Sequence, residues 1–204
     1  LAWAVKQNPK TDRLIVAPGN AGIAQLAECA DIDILDGATV VSFCEENAID
    51  FVIIGPEAPL AAGIADATRA AGLLTFGPSA AAARLEASKR FTKEICDACA
   101  APTADWARFT EARPANDYIR AQGAPIVVKA DGLAAGKGVV VATTLAQAHE
   151  AIAWMLSGSD GDNKLGVQHN ASGARVVIED FLEGEEASFI VLCDGKNVLS
   201  LATS

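Results

Sequence analysis

Two lysines and three glycines in the run VVKADGLAAGKGVVVA, residues 127–142, are the groups of this chain best placed to do chemistry. Lys129 closes one apolar stretch and Lys137 precedes the next. The segment between them, with Asp131, Gly132, Gly136 and Gly138 in and beside it, therefore lies between cations and offers backbone N–H groups that no side chain shields. That combination suits an anion. The P-loop, G-x-x-x-x-G-K-[ST], is the first frame to test, because it cradles phosphates at a helix N-terminus. Here only three residues separate Gly132 from Gly136, and Gly138 follows Lys137 where a magnesium-binding Ser or Thr would stand. Val139 to Ala142 then reads as strand rather than helix. The pattern predicts a hairpin whose glycine-rich tip folds over a triphosphate as a lid; an ordinary flexible hairpin fits the spacing equally.

Composition limits what such a site serves. With 204 residues, 51% of them hydrophobic, the chain is long and apolar enough for one sizeable core or two smaller ones. A formal net charge of −10 argues against nucleic-acid and membrane-surface partners, which are polyanions, so a phosphate site must be local. No apolar run approaches the ~20 residues of a membrane span and no basic-then-apolar leader is present, so the chain reads as cytoplasmic. Five scattered cysteines, an odd number, read as reduced structural thiols. Cys96 and Cys99 form a C-x-x-C, but without a second pair it lacks the pattern of a zinc or redox motif.

The elements that must position these residues fall into two groups. Apolar runs at 14–17, 51–54 and 73–76 each end in a Gly/Pro turn, with helical stretches near 38–47 and 60–71 between them. Unalternated apolar strands separated by helices predict a parallel sheet covered on both faces, with ligands at the strand C-terminal ends. Asn20 and Glu57 stand at those ends, either as ligand contacts or as caps of a turn and a helix. A long helix is expected over 79–100. It carries Lys89 and Lys93 on one face, and Glu86–Arg90 and Lys93–Asp97 pairs would make that face a solvated one. Beyond it the composition changes to strands at 126–129, 139–142, 176–179 and 188–192 with a helix over 145–156, an α+β unit, and the boundary is placed near Ser88. The polar stretch 157–173 reads as a surface loop. In 175–186 a strand runs into acidic residues and a glycine, which suits main-chain reading of a purine beside a ribose-binding carboxylate.

With APGNAG (17–22), GPEAPL (55–60), VKADGLAAGKG (128–138) and GEEASF (184–189), the chain resembles the glycinamide ribonucleotide synthetases, or phosphoribosylamine-glycine ligases, of the ATP-grasp superfamily. The resemblance implies an N-terminal Rossmann-like parallel-sheet domain over 1–88 and part of an α+β ATP-grasp domain over 89–204. It implies an ATP-dependent ligase of purine biosynthesis that joins glycine to 5-phosphoribosylamine through glycyl phosphate, with Mg2+ or Mn2+. It assigns Lys89 and Lys129 to phosphate, with Lys129 also catalytic. Asp131, Gly132, Gly136, Lys137 and Gly138 form the loop over the nucleotide. The Glu179 carbonyl and Leu182 N–H read adenine, with Asp180 and Phe181 between them, and Glu186 holds ribose. Asn20 and Glu57 lie toward the substrates, and no metal ligand falls within the chain. A fragment is expected, inactive by itself, with a further phosphate loop before Leu1 and the metal ligands beyond Ser204. Another ATP-grasp ligase, a dinucleotide-binding module and a nucleotide-binding piece without catalysis remain as alternative readings.

Overall fold

The computed structural model describes residues 1–132, 138–156 and 175–203. Its first part runs α1 (Ala2–Lys6), β1 (Ile15–Val16), a 3-10 turn (Ile23–Gln25), β2 (Glu28–Cys29), α2 (Gly37–Glu46), β3 (Phe51–Ile53), α3 (Glu57–Ala61), α4 (Ile64–Ala70), β4 (Leu74–Phe76) and α5 (Ala80–Ala87). The strands are parallel, as expected, but form two pairs rather than one sheet: β1 with β2 and β3 with β4. Ile15 and Ala17 on one side and Val52 and Ile54 on the other line an apolar cavity of about 170 Å3. Asp36 starts α2 by accepting from the Thr39 N–H at 3.0 Å, satisfying an N–H that the first turn leaves without a partner. One helix expected over 60–71 is two, because Gly63 at φ +86° takes a left-handed conformation that breaks the chain between α3 and α4. Val40, Cys44, Ile54, Leu60, Ile64, Ala65 and Ala83 close the core, and burial pushes the Cys44 thiol pKa up.

The second part runs α6 (Lys89–Cys99), β5 (Trp106–Phe109), α7 (Ala112–Gln122), β6 (Ile126–Ala130), β7 (Val139–Ala142), α8 (Leu145–Leu156), β8 (Val176–Asp180), β9 (Phe189–Cys193) and β10 (Val198–Thr203). An antiparallel sheet is ordered β5-β8-β6-β7. One face packs on α7 and α8: Ile126, Val128, Ala130, Val176 and Ile178 meet Ala115, Ile119, Ala148, Ile152 and Met155. Because side chains alternate across a strand, Val127, Lys129, Val177 and Glu179 must point to the opposite face. β9 and β10 form a separate antiparallel hairpin, exposed along both strands, whose turn is held by the Lys196 and Asn197 N–H groups donating to Asp194 Oδ1 at 2.9 and 2.7 Å. No helix among the described residues is long and apolar enough to cross a membrane.

Three expectations need correcting. The helix expected over 79–100 breaks at Ser88, whose extended backbone (φ −138°, ψ 108°) ends α5 and whose Oγ accepts from the Phe91 N–H at 3.3 Å to start α6. Arg90 pairs with Glu94, not Glu86, and Asp97 accepts from Trp106 Nε1 rather than from Lys93. Lys93 itself is buried, so the lysine face of α6 is not solvated. β5 and α7 were not foreseen at all.

Candidate nucleotide site

The sheet face opposite α7 and α8 carries the cluster. Lys129 and Glu179 sit diagonally across β6 and β8, since Lys129 pairs with Val177 and Val127 with Glu179. Lys129 Nζ lies 2.8 Å from Glu179 Oε2. From α6, Lys93 Nζ reaches the same oxygen at 3.0 Å and also donates to Thr103 Oγ1 at 2.6 Å and the Ala104 carbonyl at 3.2 Å. Glu179 is 7% exposed and Lys93 6%, whereas the Lys129 side chain keeps 27% of its surface. One buried carboxylate therefore serves two ammonium groups, of which one is locked in and the other open.

β6 then hands over to the glycine-rich loop. The Asp131 N–H donates to the Arg175 carbonyl at 2.9 Å, extending the β6–β8 ladder by one more pair, and the Ala130 N–H donates to the Gly138 carbonyl at 2.8 Å, closing the stem of the loop. Asp131 is 2% exposed. Its Oδ1 accepts from Ser88 Oγ and from the Arg90 N–H, each at 3.4 Å, while Oδ2 has no hydrogen-bond partner among the described residues. Lys89, the first residue of α6, donates from Nζ to the Gly132 carbonyl at 3.0 Å. The N-terminus of α6 is thus docked on the corner where the loop leaves β6. Burial pushes the Lys89 pKa below its ordinary value, and the Asp131 carboxylate is the strongest of the neighbouring charges that offset the shift.

Antiparallel pairing decides which main-chain groups at the end of β8 remain for a ligand. The Asp180 N–H donates to the Asp105 carbonyl at 3.0 Å, toward β5, so by alternation the backbone of Glu179 faces Val127 of β6. The Glu179 carbonyl faces β6, which leaves its second lone pair for another donor, the Asp180 N–H is spent on β5, and the main chain leaves the sheet after Asp180. Phe181 and Leu182 leave the sheet exposed, Leu182 at 69%, and Glu186 further along is exposed too.

Lys89, Lys129, Asp131, Gly132 and Glu179 are accordingly brought together, with the Gly138 carbonyl at the loop stem. Gly136 and Lys137 lie outside the described residues, as does the expected loop over 157–173. Among the described residues, Asn20 and Glu57 do not join the hydrogen-bonded group. Asn20 Oδ1 accepts from the Gly22 and Ile23 N–H groups at 3.0 and 2.9 Å, which is the turn-capping role, and Glu57 is exposed as the first residue of α3. The residues that sequence reasoning missed are Lys93, Ser88 and Thr103. A signal was present in the like-charge pair Lys89 and Lys93 at i,i+4, which is unfavourable alone and so implies acids elsewhere. Among the described residues no three His, Cys, Asp or Glu side chains gather as metal ligands.

The phosphoribosylglycinamide synthetase N-domain profile matches residues 1–86, and the profile of the ATP-grasp (A) domain of the same synthetase matches residues 87–204. The chain belongs to the phosphoribosylglycinamide synthetase family. It is 56% identical over its whole length to a phosphoribosylamine--glycine ligase of Agrobacterium fabrum and 55% identical to one of Vibrio cholerae, covering 46% of each. The chain therefore spans about half the length of these relatives. Among solved structures, phosphoribosylamine--glycine ligase from Thermotoga maritima superposes with a TM-score of 0.76 at 24% identity, over 99% of this chain and 46% of that one. The biotin carboxylase domain of Hydrogenobacter thermophilus 2-oxoglutarate carboxylase, solved with MgADP, ADP and bicarbonate, gives 0.72 at 18% identity, over 99% and 47%. Both likenesses describe the fold.

Proposed function

We propose that the protein carrying this chain is an ATP-dependent ligase joining glycine to 5-phosphoribosylamine, with a substrate domain over 1–88 and the first half of the nucleotide-clamping domain over 89–204. Membership of the family and the names of relatives at 55–56% identity support the reaction. The observation that carries the nucleotide site is the convergence of Lys89, Lys129 and the loop stem on one sheet face, beside the exposed main chain that follows β8.

The residues fit ATP in three respects. Lys129, partly exposed and sharing its carboxylate with Lys93, is free to exchange Glu179 for a phosphate oxygen, and Lys89 sits half-buried at the loop stem to receive a second. Gly132 and Gly138 stand at the stem of the glycine-rich loop, and the sequence between them contributes Gly136 and one more cation, Lys137. The Glu179 carbonyl and the Leu182 N–H would read the purine edge, with Asp180 and Phe181 between them, and Glu186 would hold ribose. ATP supplies the phosphoryl group that activates glycine: a carboxylate oxygen attacks the γ-phosphorus, the bond to the β-phosphate oxygen breaks, and ADP leaves. The amine of phosphoribosylamine then attacks the acyl carbon of glycyl phosphate, inorganic phosphate departs and the nitrogen loses a proton. For both steps this chain positions the groups, neutralises charge and excludes water; a protein nucleophile is not required. Mg2+ or Mn2+ would serve the same charge, but the described carboxylates offer no cluster that fits it. Asn20 and Glu57 are assigned to the glycine and phosphoribosylamine side from the family motifs in which they lie. The test is ADP release by the complete protein: it should require glycine and phosphoribosylamine together, and ADP formation with a different carboxylate would assign the chain to another ATP-grasp reaction.

A further inference from the structure

We infer that Lys93, which the proposed chemistry does not use, is a positioning residue of the nucleotide site: by neutralising the buried Glu179 carboxylate it releases Lys129 for phosphate. The inference rests on the proposed ATP site. Three ammonium groups, Lys89, Lys93 and Lys129, share this region with the carboxylates of Asp131 and Glu179, and Glu86 adds its negative charge beside Lys89. Lys93 balances Glu179 without being available to a ligand itself, since it is 6% exposed and its remaining donors are spent on Thr103 Oγ1 and the Ala104 carbonyl. Glu179 is equally enclosed, and a buried carboxylate must keep a cation or take up a proton. With Lys93 in place, Glu179 retains one ammonium group at 3.0 Å when Lys129 turns toward a phosphate. Without it, Lys129 is the only ammonium group left of the two that contact this carboxylate, and drawing it away would strand a buried charge.

The same contacts fix geometry. Lys93 ties the middle of α6 to β8 through Glu179 and to the segment entering β5 through Thr103 and Ala104. Glu179 opens the 179–182 segment assigned to the purine, so this tie also sets where that end of β8 lies relative to Lys89 on the same helix.

A double-mutant cycle in the complete protein tests the inference, with Lys93→Met, Glu179→Gln and both together, each followed by ATP titration and by thermal unfolding without ATP. Lys93→Met alone should raise the ATP Kd roughly tenfold or more, the loss typical of a charge-assisted contact. Glu179→Gln removes the charge that traps Lys129. Whatever that change does by itself, adding Lys93→Met to it should alter the Kd by less than about threefold, because the two residues act through one contact. A residue serving only as a pillar would lower the unfolding temperature and give the same ATP penalty on both backgrounds, and that additive result overturns the inference. Should Lys93→Met alone fail to fold, the comparison of the double variant with Glu179→Gln still decides, since it replaces the buried pair by neutral groups and leaves no charge stranded. Lys129→Ala is the control for the underlying site. If it leaves ATP binding unchanged, the nucleotide reading fails; if it weakens binding while the cycle is additive, only the role of Lys93 fails.

Discussion

Lys129→Ala is the perturbation that bears most directly on the nucleotide site. Removing the side chain deletes an ammonium group that, in the proposed complex, makes a charge-assisted contact to a phosphate at a position 27% exposed. Such contacts are worth ~1.5–3 kcal/mol, which corresponds to roughly a 13- to 160-fold rise in Kd. Partial exposure places the expectation toward the lower half of that range. Folding should suffer little, because Glu179 keeps Lys93 at 3.0 Å and the buried carboxylate is not orphaned. Isothermal titration of the complete protein with ATP, alongside thermal unfolding of the unliganded form, separates the two effects. An unchanged Kd would remove Lys129 from the site, and a collapse in stability large enough to account for the lost binding would show that its role is structural.

Three further outcomes are expected. ATP affinity should fall as pH rises through the pKa of Lys89, below the ordinary lysine value of 10.5 because burial disfavours the charged form; Asp131→Asn removes the main offsetting charge and should move the fall to still lower pH, whereas an unmoved profile would show that Lys89 does not bind phosphate. GTP should be rejected relative to ATP by roughly 30-fold or more in kcat/KM, since guanine reverses the donor and acceptor that the Glu179 carbonyl and the Leu182 N–H would meet and leaves two groups unpaired; near-equal values would take purine reading away from this segment. Ile119→Ala, at a fully buried position between α7 and the sheet, should cost about 2–5 kcal/mol in denaturant unfolding, and a loss under about 1 kcal/mol would mean that this core is loosely packed.

The chain's local chemistry was readable where it depends on neighbours in sequence. The strands at 126–130 and 139–142 announce themselves by apolar β-branched runs, α8 by its length and periodicity, and the loop between β6 and β7 by its glycines and lysines. Parallel strands before Ser88 and an α+β unit after it follow from the order of apolar runs and turns. α7 escaped because ARPANDYIRAQ is polar with a proline in its first turn, and its apolar signal is little more than Ala115, Tyr118 and Ile119. The break at Ser88 is a capping event: a serine that reads as mid-helix is extended because its side chain and Asp131 satisfy the first N–H groups of α6.

What the tertiary structure alone decided is who partners whom. Lys93 reads as a surface lysine with Asp97 one turn away, and only the packing of α6 against the sheet shows that Glu179, from a strand far along the chain, takes it instead. The surroundings of 179–182 likewise depend on strand register, which turns the Glu179 backbone toward β6, while its carboxylate meets Lys93 and Lys129. Residue types and spacing are local properties and state which chemistry is available; burial and register arise from contacts between distant segments, and they determine which of those groups stay charged, stay free and face the ligand.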